Sequence, residues 1–237
     1  MRLLLISNST NAGESYLEHA GDDIKNFLGD KVKKVLFIPY AAVSFTFDQY
    51  QKKVQQKFDE FGVEVDSLHN YSFLRKREMI KEASAIVVGG GNTFHLLKYL
   101  QQEELIELIR YTVLNDTPYI GWSAGANVAC PNICTTNDMP ITEPDSFHAL
   151  NLVRFQINPH YLDAHPEGHA GETREMRIKE FLIVNPYVYT IGLREGSKLL
   201  VERGDIKLLG NKNARIFKNE EEPAELAPGD DFDFLFE

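Results

Sequence analysis

Pro118-Tyr119-Ile120-Gly121-Trp122-Ser123-Ala124-Gly125-Ala126-Asn127-Val128-Ala129 is the stretch whose reading decides the fold. Its first half, Tyr119–Trp122, is short, apolar and aromatic, as a strand buried on both faces should be. Its second half, Ala124–Ala129, is a run of small residues suited to a tightly packed helix. Between them, Gly121-Trp122-Ser123-Ala124-Gly125 fits G-x-S-x-G, in which a serine sits on a sharp strand-to-helix turn. Glycine on both sides removes the Cβ atoms that would clash at so tight a bend. The bland alternative is a packing turn whose serine only caps the helix. That alternative leaves unexplained why other polar clusters follow other strands in the same way.

Three more strand-like runs precede this one: Leu3–Ile6, Val35–Ile38 and Ala85–Val88. The first lies in MRLLLISNST, which is too short for the apolar region of a signal peptide and is expected to be a buried first strand. Helical stripes separate the runs. Phe47, Tyr50, Val54 and Phe58 recur at three- and four-residue steps, and Leu96, Leu97, Leu100, Leu105 and Leu108 form a second stripe. Strands alternating with helices predict an α/β fold, a mostly parallel central sheet with helices on both faces. In the last third Val188–Leu193, Lys198–Val201, Ile206–Leu209 and Ala214–Phe217 are closely spaced around turn residues. They are expected to be β-hairpins added to the main sheet. The acidic segment from Glu220 to Glu237 is expected to pack loosely, if at all. With no repeat and no linker, residues 1–237 read as one α/β domain.

Charge and composition narrow the function. A net charge of −10 opposes nucleic acid and anionic membrane, which need a basic footprint. No apolar run is long enough to span a bilayer. Cys130 and Cys134 cannot make a disulfide framework, which points to a reducing compartment, and they lack neighbouring ligands for a metal. Neither a cofactor nor a metal is expected.

Sites in open parallel sheets form beyond the carboxyl ends of the strands. Four polar clusters take that position: Ser7-Asn8-Ser9-Thr10, Gly89-Gly90-Gly91-Asn92, the Ser123 turn, and Asn158-Pro159-His160. A serine nucleophile needs a base. Of the seven histidines, His160 follows the expected strand Leu152–Ile157 and a stiff Asn-Pro corner, which makes it the best candidate. His165 and His169 are weaker. His19, His69 and His95 read as surface or core residues, and His148 as a loop residue. For the orienting carboxylate both Asp138 and Glu195 qualify, against readings as a turn-former before proline and as a solvated hairpin charge. The backbone N–H of Ala124 is one natural oxyanion donor, and Gly90 or Gly91 offers a second. A phosphate cradle at Gly89–Asn92 is weaker, since neither G-x-G-x-x-G spacing nor a P-loop lysine is present. Arg174 falls on a stripe with Ile178 and Leu182; it either snorkels to solvent or presents its fork to a substrate carboxylate.

An ordinary α/β-hydrolase runs serine, acid, then a late histidine. Here no histidine follows His169, and 37 positions separate Ser123 from His160, too few for that fold's insertions. In order, SNST, VGGGNTF, YIGWSAGAN, TTNDMP, QINPH, PEGHAGETRE and IGLREG run through nearly the whole chain. These blocks resemble the peptidase E family, the α-aspartyl dipeptidases among serine peptidases. The resemblance implies a class I glutamine amidotransferase-like sheet and a cytoplasmic, metal-independent enzyme that removes N-terminal Asp from dipeptides. It aligns Ser123 with the nucleophile and His160 with the base. Asp138 and Glu195 both align with acidic positions considered for the third member. Arg174 aligns with the residue taken to bind the aspartyl carboxylate, and Gly91 and Ala124 with the oxyanion positions.

The expected reaction is acyl transfer through an aspartyl-enzyme on small Asp-Xaa dipeptides, by a monomer or a homodimer. Two other readings compete with it: cyanophycinase-like cleavage of β-aspartyl linkages, and a ligand-binding α/β module without catalysis.

Overall fold

The computed structural model describes residues 1–163 and 171–236. Strands β1 (Arg2–Ile6), β2 (Lys34–Ile38), β3 (Glu64–Ser67), β4 (Ile86–Val88) and β5 (Tyr119–Trp122) lie parallel in the order β3-β2-β4-β5-β1. Successive residues of these strands feed two different cores. Leu3, Leu5, Leu36, Ile38, Ile86 and Val88 belong to one, and Leu4, Ile6, Val35, Phe37, Val87 and Trp122 to the other. That period of two, apolar on both sides, is why each strand reads as an unbroken hydrophobic run.

Helices α1 (Gly21–Leu28) and α2 (Phe47–Asp59) cover one face through Ile24, Phe27, Tyr50, Val54 and Phe58. A capping box between Thr46 and Gln49 starts α2. Helices α3 (Phe73–Glu82), α4 (Thr93–Gln102), α5 (Ile106–Leu114) and α6 (Ala124–Asn127) serve the other face. The leucine stripe from Leu96 to Leu108 is divided between α4 and α5, because Glu104 takes a left-handed backbone at φ 53° and turns the chain. The expected α/β class with a mostly parallel sheet is what forms.

The last third differs in part from expectation. Strands β6 (Gln156–Tyr161) and β7 (Thr190–Arg194) pair parallel; β8 (Lys198–Glu202) and β9 (Asp205–Leu209) pair antiparallel; β10 (Ala214–Phe217) and β11 (Ala224–Leu226) complete the set. Only the β8–β9 hairpin joins the main sheet, antiparallel along β1. The other four form a separate sheet in the order β11-β10-β7-β6. The strand expected at Leu152–Ile157 begins instead at Gln156 and carries through Pro159 and His160.

The acidic tail also packs. β11 pairs with β10, and Phe232 and Leu235 are buried in the larger core. Its acidic side chains stay outside while its phenylalanines anchor it. Glu225, for example, is bound by Arg194 and Arg215.

Candidate active site

Register explains why the polar clusters converge. β4, β5 and β1 are neighbours, with Val88 opposite Gly121 and Ile6 opposite Trp122. The residues that follow, Gly89–Gly91, Ser123 and Ser7, therefore emerge at one level of one sheet edge. Ser123 takes φ 53° and ψ −113°, outside the regions comfortable for an L-residue, and its N–H donates to the Ile6 carbonyl. A Cβ on Gly121 would collide with the Gly125 carbonyl, and one on Gly125 with the Val88 carbonyl. Both glycines of the motif are thus required by backbone packing.

His160 arrives from the second sheet. In the β6–β7 pairing Asn158 faces Gly192 while Tyr161 faces Arg194, so β6 carries one extra residue at Pro159-His160. The bulge puts His160 at φ 54° and re-aims its ring. Its Nε2 lies 3.0 Å from Ser123 Oγ and its Nδ1 lies 2.7 Å from Glu195 Oε1. Glu195 directly follows β7, the partner strand of β6, in the turn before β8. One hydrogen-bonded line runs Glu195–His160–Ser123.

Asp138 is not part of it. Its Oδ2 accepts from Thr93 N at 2.7 Å, Thr93 Oγ1 at 2.5 Å and Thr136 Oγ1 at 3.2 Å. Of the two carboxylates, the structure sets Glu195 on the histidine and Asp138 on the start of α4. His165 and His169 lie outside the described residues.

Gly91 sits at φ 139°, where a side chain would be strained, and a Cβ there would strike the Ala41 carbonyl. Gly90 packs against the Ser123 side chain. Among the described residues, the backbone N–H groups of Gly91 and Ala124 donate no hydrogen bond. Arg174 opens helix α7 (Arg174–Val184), capped by Thr173, with Ile178 and Leu182 buried on its stripe. Its Nη1 is buried and has no partner among the described residues. Burial lowers its pKa, Arg177 lowers it further, and Asp138 raises it. Arg174, Asp138, Thr93, Ser123 and His160 line a single cavity of about 310 Å³.

Several supporting residues were not singled out in the sequence. Ser7 Oγ donates to the Leu193 carbonyl at 2.7 Å and accepts from His160 N at 2.9 Å. Asn8 Oδ1 accepts from Gly196 N at 2.7 Å, holding the turn that carries Glu195. Tyr50 donates to the Gly90 carbonyl at 2.9 Å and accepts from Trp122 Nε1 at 3.0 Å. Asn137 Nδ2 donates to the Pro159 carbonyl at 2.6 Å. Ser7 and Asn8 were visible as a strand-end cluster; Tyr50 read only as a core position on a helical stripe.

The sequence profile of peptidase family S51 matches residues 3–209. The chain belongs to peptidase family S51. Relatives of this S51 peptidase include a peptidase E of Nostoc sp., 55% identical over all of this chain and 97% of that one. A peptidase E of Haemophilus influenzae is 48% identical over 89% of this chain and 96% of its own. In fold, the S51 chain resembles a crystal structure of a peptidase from an acI-B1 Actinobacterium, with a TM-score of 0.72 at 18% identity, over 97% of this chain and 95% of that one. It also resembles a putative peptidase E protein from Listeria monocytogenes, with a TM-score of 0.66 at 22% identity, over 88% of this chain and 98% of that one.

Proposed function

We propose that this S51 peptidase is a serine dipeptidase that hydrolyses Asp-Xaa dipeptides, with Ser123, His160 and Glu195 as its triad. His160 Nε2 takes the Ser123 proton as Oγ attacks the carbonyl of the N-terminal residue. Glu195 holds Nδ1–H, sets the tautomer and offsets the charge that forms on the ring. The N–H groups of Gly91 and Ala124 receive the oxyanion. His160 then protonates the leaving amine, and water, activated by the same imidazole, releases aspartate from the acyl-enzyme.

The observation that carries the aspartyl reading is Arg174. Among the described residues its guanidinium has a buried N–H without a partner, in the cavity that holds Ser123, a costly arrangement without an anion to receive it. The β-carboxylate of an N-terminal aspartate is such an anion, and a fork-shaped donor suits it. Every group named comes from one chain, so the reading holds for a monomer and for a homodimer. The free thiols Cys130 and Cys134 fit a reducing compartment such as the cytoplasm. The charge of −10 disfavours nucleic acid and anionic lipid as partners.

The test is hydrolysis of Asp-Leu by the purified protein, with Ser123→Ala and added EDTA in parallel. Cleavage that persists in EDTA and disappears in the variant supports the proposal. A folded parent that leaves Asp-Leu intact but cuts a β-aspartyl peptide overturns it in favour of β-linkage cleavage.

A further inference from the structure

With Glu195 on His160, Asp138 has no part in proton transfer, yet its position is not that of a simple turn residue. Its Oδ2 gathers the three donors from Thr93 and Thr136, which pins the 135–140 loop to the first residue of α4. Its Oδ1 accepts no hydrogen bond among the described residues. The side chain lines the cavity that contains Ser123 and Arg174. Arg174 senses its charge, because Asp138 works against the burial that disfavours the guanidinium's charged form.

The cavity wall therefore offers one cation and one anion close together. A peptide that begins with aspartate carries the complementary pair on adjacent carbons, an α-ammonium and a β-carboxylate. With its carbonyl on Ser123 Oγ and its carboxylate on Arg174, the ammonium enters the same cavity of about 310 Å³ and gives up part of its hydration there. A desolvated ammonium needs an acceptor. Glu195 also lines this cavity and its Oε2 accepts no hydrogen bond among the described residues, but its carboxylate is held on His160 Nδ1, across the ring from Ser123. We propose that Asp138 Oδ1 receives the substrate's α-ammonium and makes the site specific for a free N-terminus. The proposal rests on the Asp-Xaa reading above. Asp138 on this account is a specificity-determining residue with a second duty as a loop anchor.

The probe is succinyl-leucine, which matches Asp-Leu except that hydrogen replaces the ammonium, so no added bulk excludes it. Measure kcat/KM for Asp-Leu and succinyl-leucine with the parent and with Asp138→Asn, which retains an oxygen for Thr93 and removes the charge. The ratio of the two substrates on one preparation is independent of the folded fraction. The parent is expected to prefer Asp-Leu by on the order of 100-fold, the range of a charge-assisted hydrogen bond. In Asp138→Asn the ratio should fall to within a few-fold, through loss on Asp-Leu. A variant that loses both substrates by the same factor makes Asp138 a loop anchor only and overturns the proposal. So does a parent that cleaves both alike. A parent that leaves Asp-Leu intact overturns the aspartyl reading itself, and this proposal with it.

Discussion

The hydroxyl of Ser7 joins two sheets: its oxygen accepts the backbone N–H of His160 at 2.9 Å, from a residue 153 positions away in the chain. The same hydroxyl donates to the Leu193 carbonyl on β7. Ser7 is fully buried at the end of β1. It holds the bulge that carries His160 at the height where Nε2 meets Ser123.

Ser7→Ala should therefore cost about 1–3 kcal/mol of stability, since a buried N–H and a buried carbonyl each lose a partner. At 237 residues that amounts to a fall in Tm of roughly 2–4 °C per kcal/mol. Because the imidazole is then less well held, kcat should drop about tenfold with KM little changed. Differential scanning calorimetry and steady-state kinetics on Asp-Leu check the two halves separately. Unchanged kcat in a destabilised variant would make Ser7 purely structural.

Glu195→Gln separates the two carboxylates. Gln keeps the size of the side chain but presents the wrong charge to Nδ1, so kcat should fall on the order of 1,000-fold with the fold intact. Parent-like kcat in the folded Glu195→Gln variant would take Glu195 out of the triad.

Arg174→Ala should lower kcat/KM on Asp-Leu by at least about 100-fold, as the substrate carboxylate would enter without its partner. Its effect on stability should be small or favourable, because among the described residues the removed side chain carries a buried N–H without a partner. Parent-like cleavage of Asp-Leu by this variant would refute the assignment of Arg174 as the carboxylate receptor.

Alkaline pH provides a test of the core around the site. Burial pushes Tyr50 up to about 12, Cys130 up to about 12, and Tyr16 and Tyr119 above the ordinary phenol range. Each group binds its proton more tightly in the folded chain than in the unfolded one. Their contribution is fully present below the unfolded pKa values, about 8.5 for the thiol and about 10 for the phenols. It is lost as pH rises from there through the folded values. Urea unfolding at pH 8, 9.5 and 11 should show a shallow decline over the lower interval, from Cys130, and a steep one over the upper interval, where the phenols add to it; Tyr50→Phe should make the steep decline shallower. A parent equally stable at pH 8 and pH 11 would contradict it.

Much of the main sheet was legible in the sequence, because strands covered on both faces carry apolar residues at every position. The Ser123 turn was legible too, since a backbone that bends so sharply past Val88 demands glycine at 121 and 125. His160 could be chosen by its Asn-Pro setting. Which acid it would face could not, because that depends on β6 pairing with β7 and on a bulge of one residue. Neither leaves a local mark in the sequence. The tail misled for a related reason: its charges are local and plain, whereas the sites that take up Phe232 and Leu235 are built by distant segments. The leucine stripe concealed a break at Glu104, where an ordinary residue takes the left-handed conformation that glycine usually supplies.

Ser123 follows a strand of the seven-stranded sheet, His160 belongs to the four-stranded one, and Glu195 sits in the turn that leads from the second to the first. The 3.0 Å contact from His160 to Ser123 Oγ spans the seam between the two sheets. Activity in this enzyme is thus a vernier on the alignment of two sheets. A substitution deep in their shared core that slides one past the other by an ångström would silence the serine while leaving every residue of the site in place.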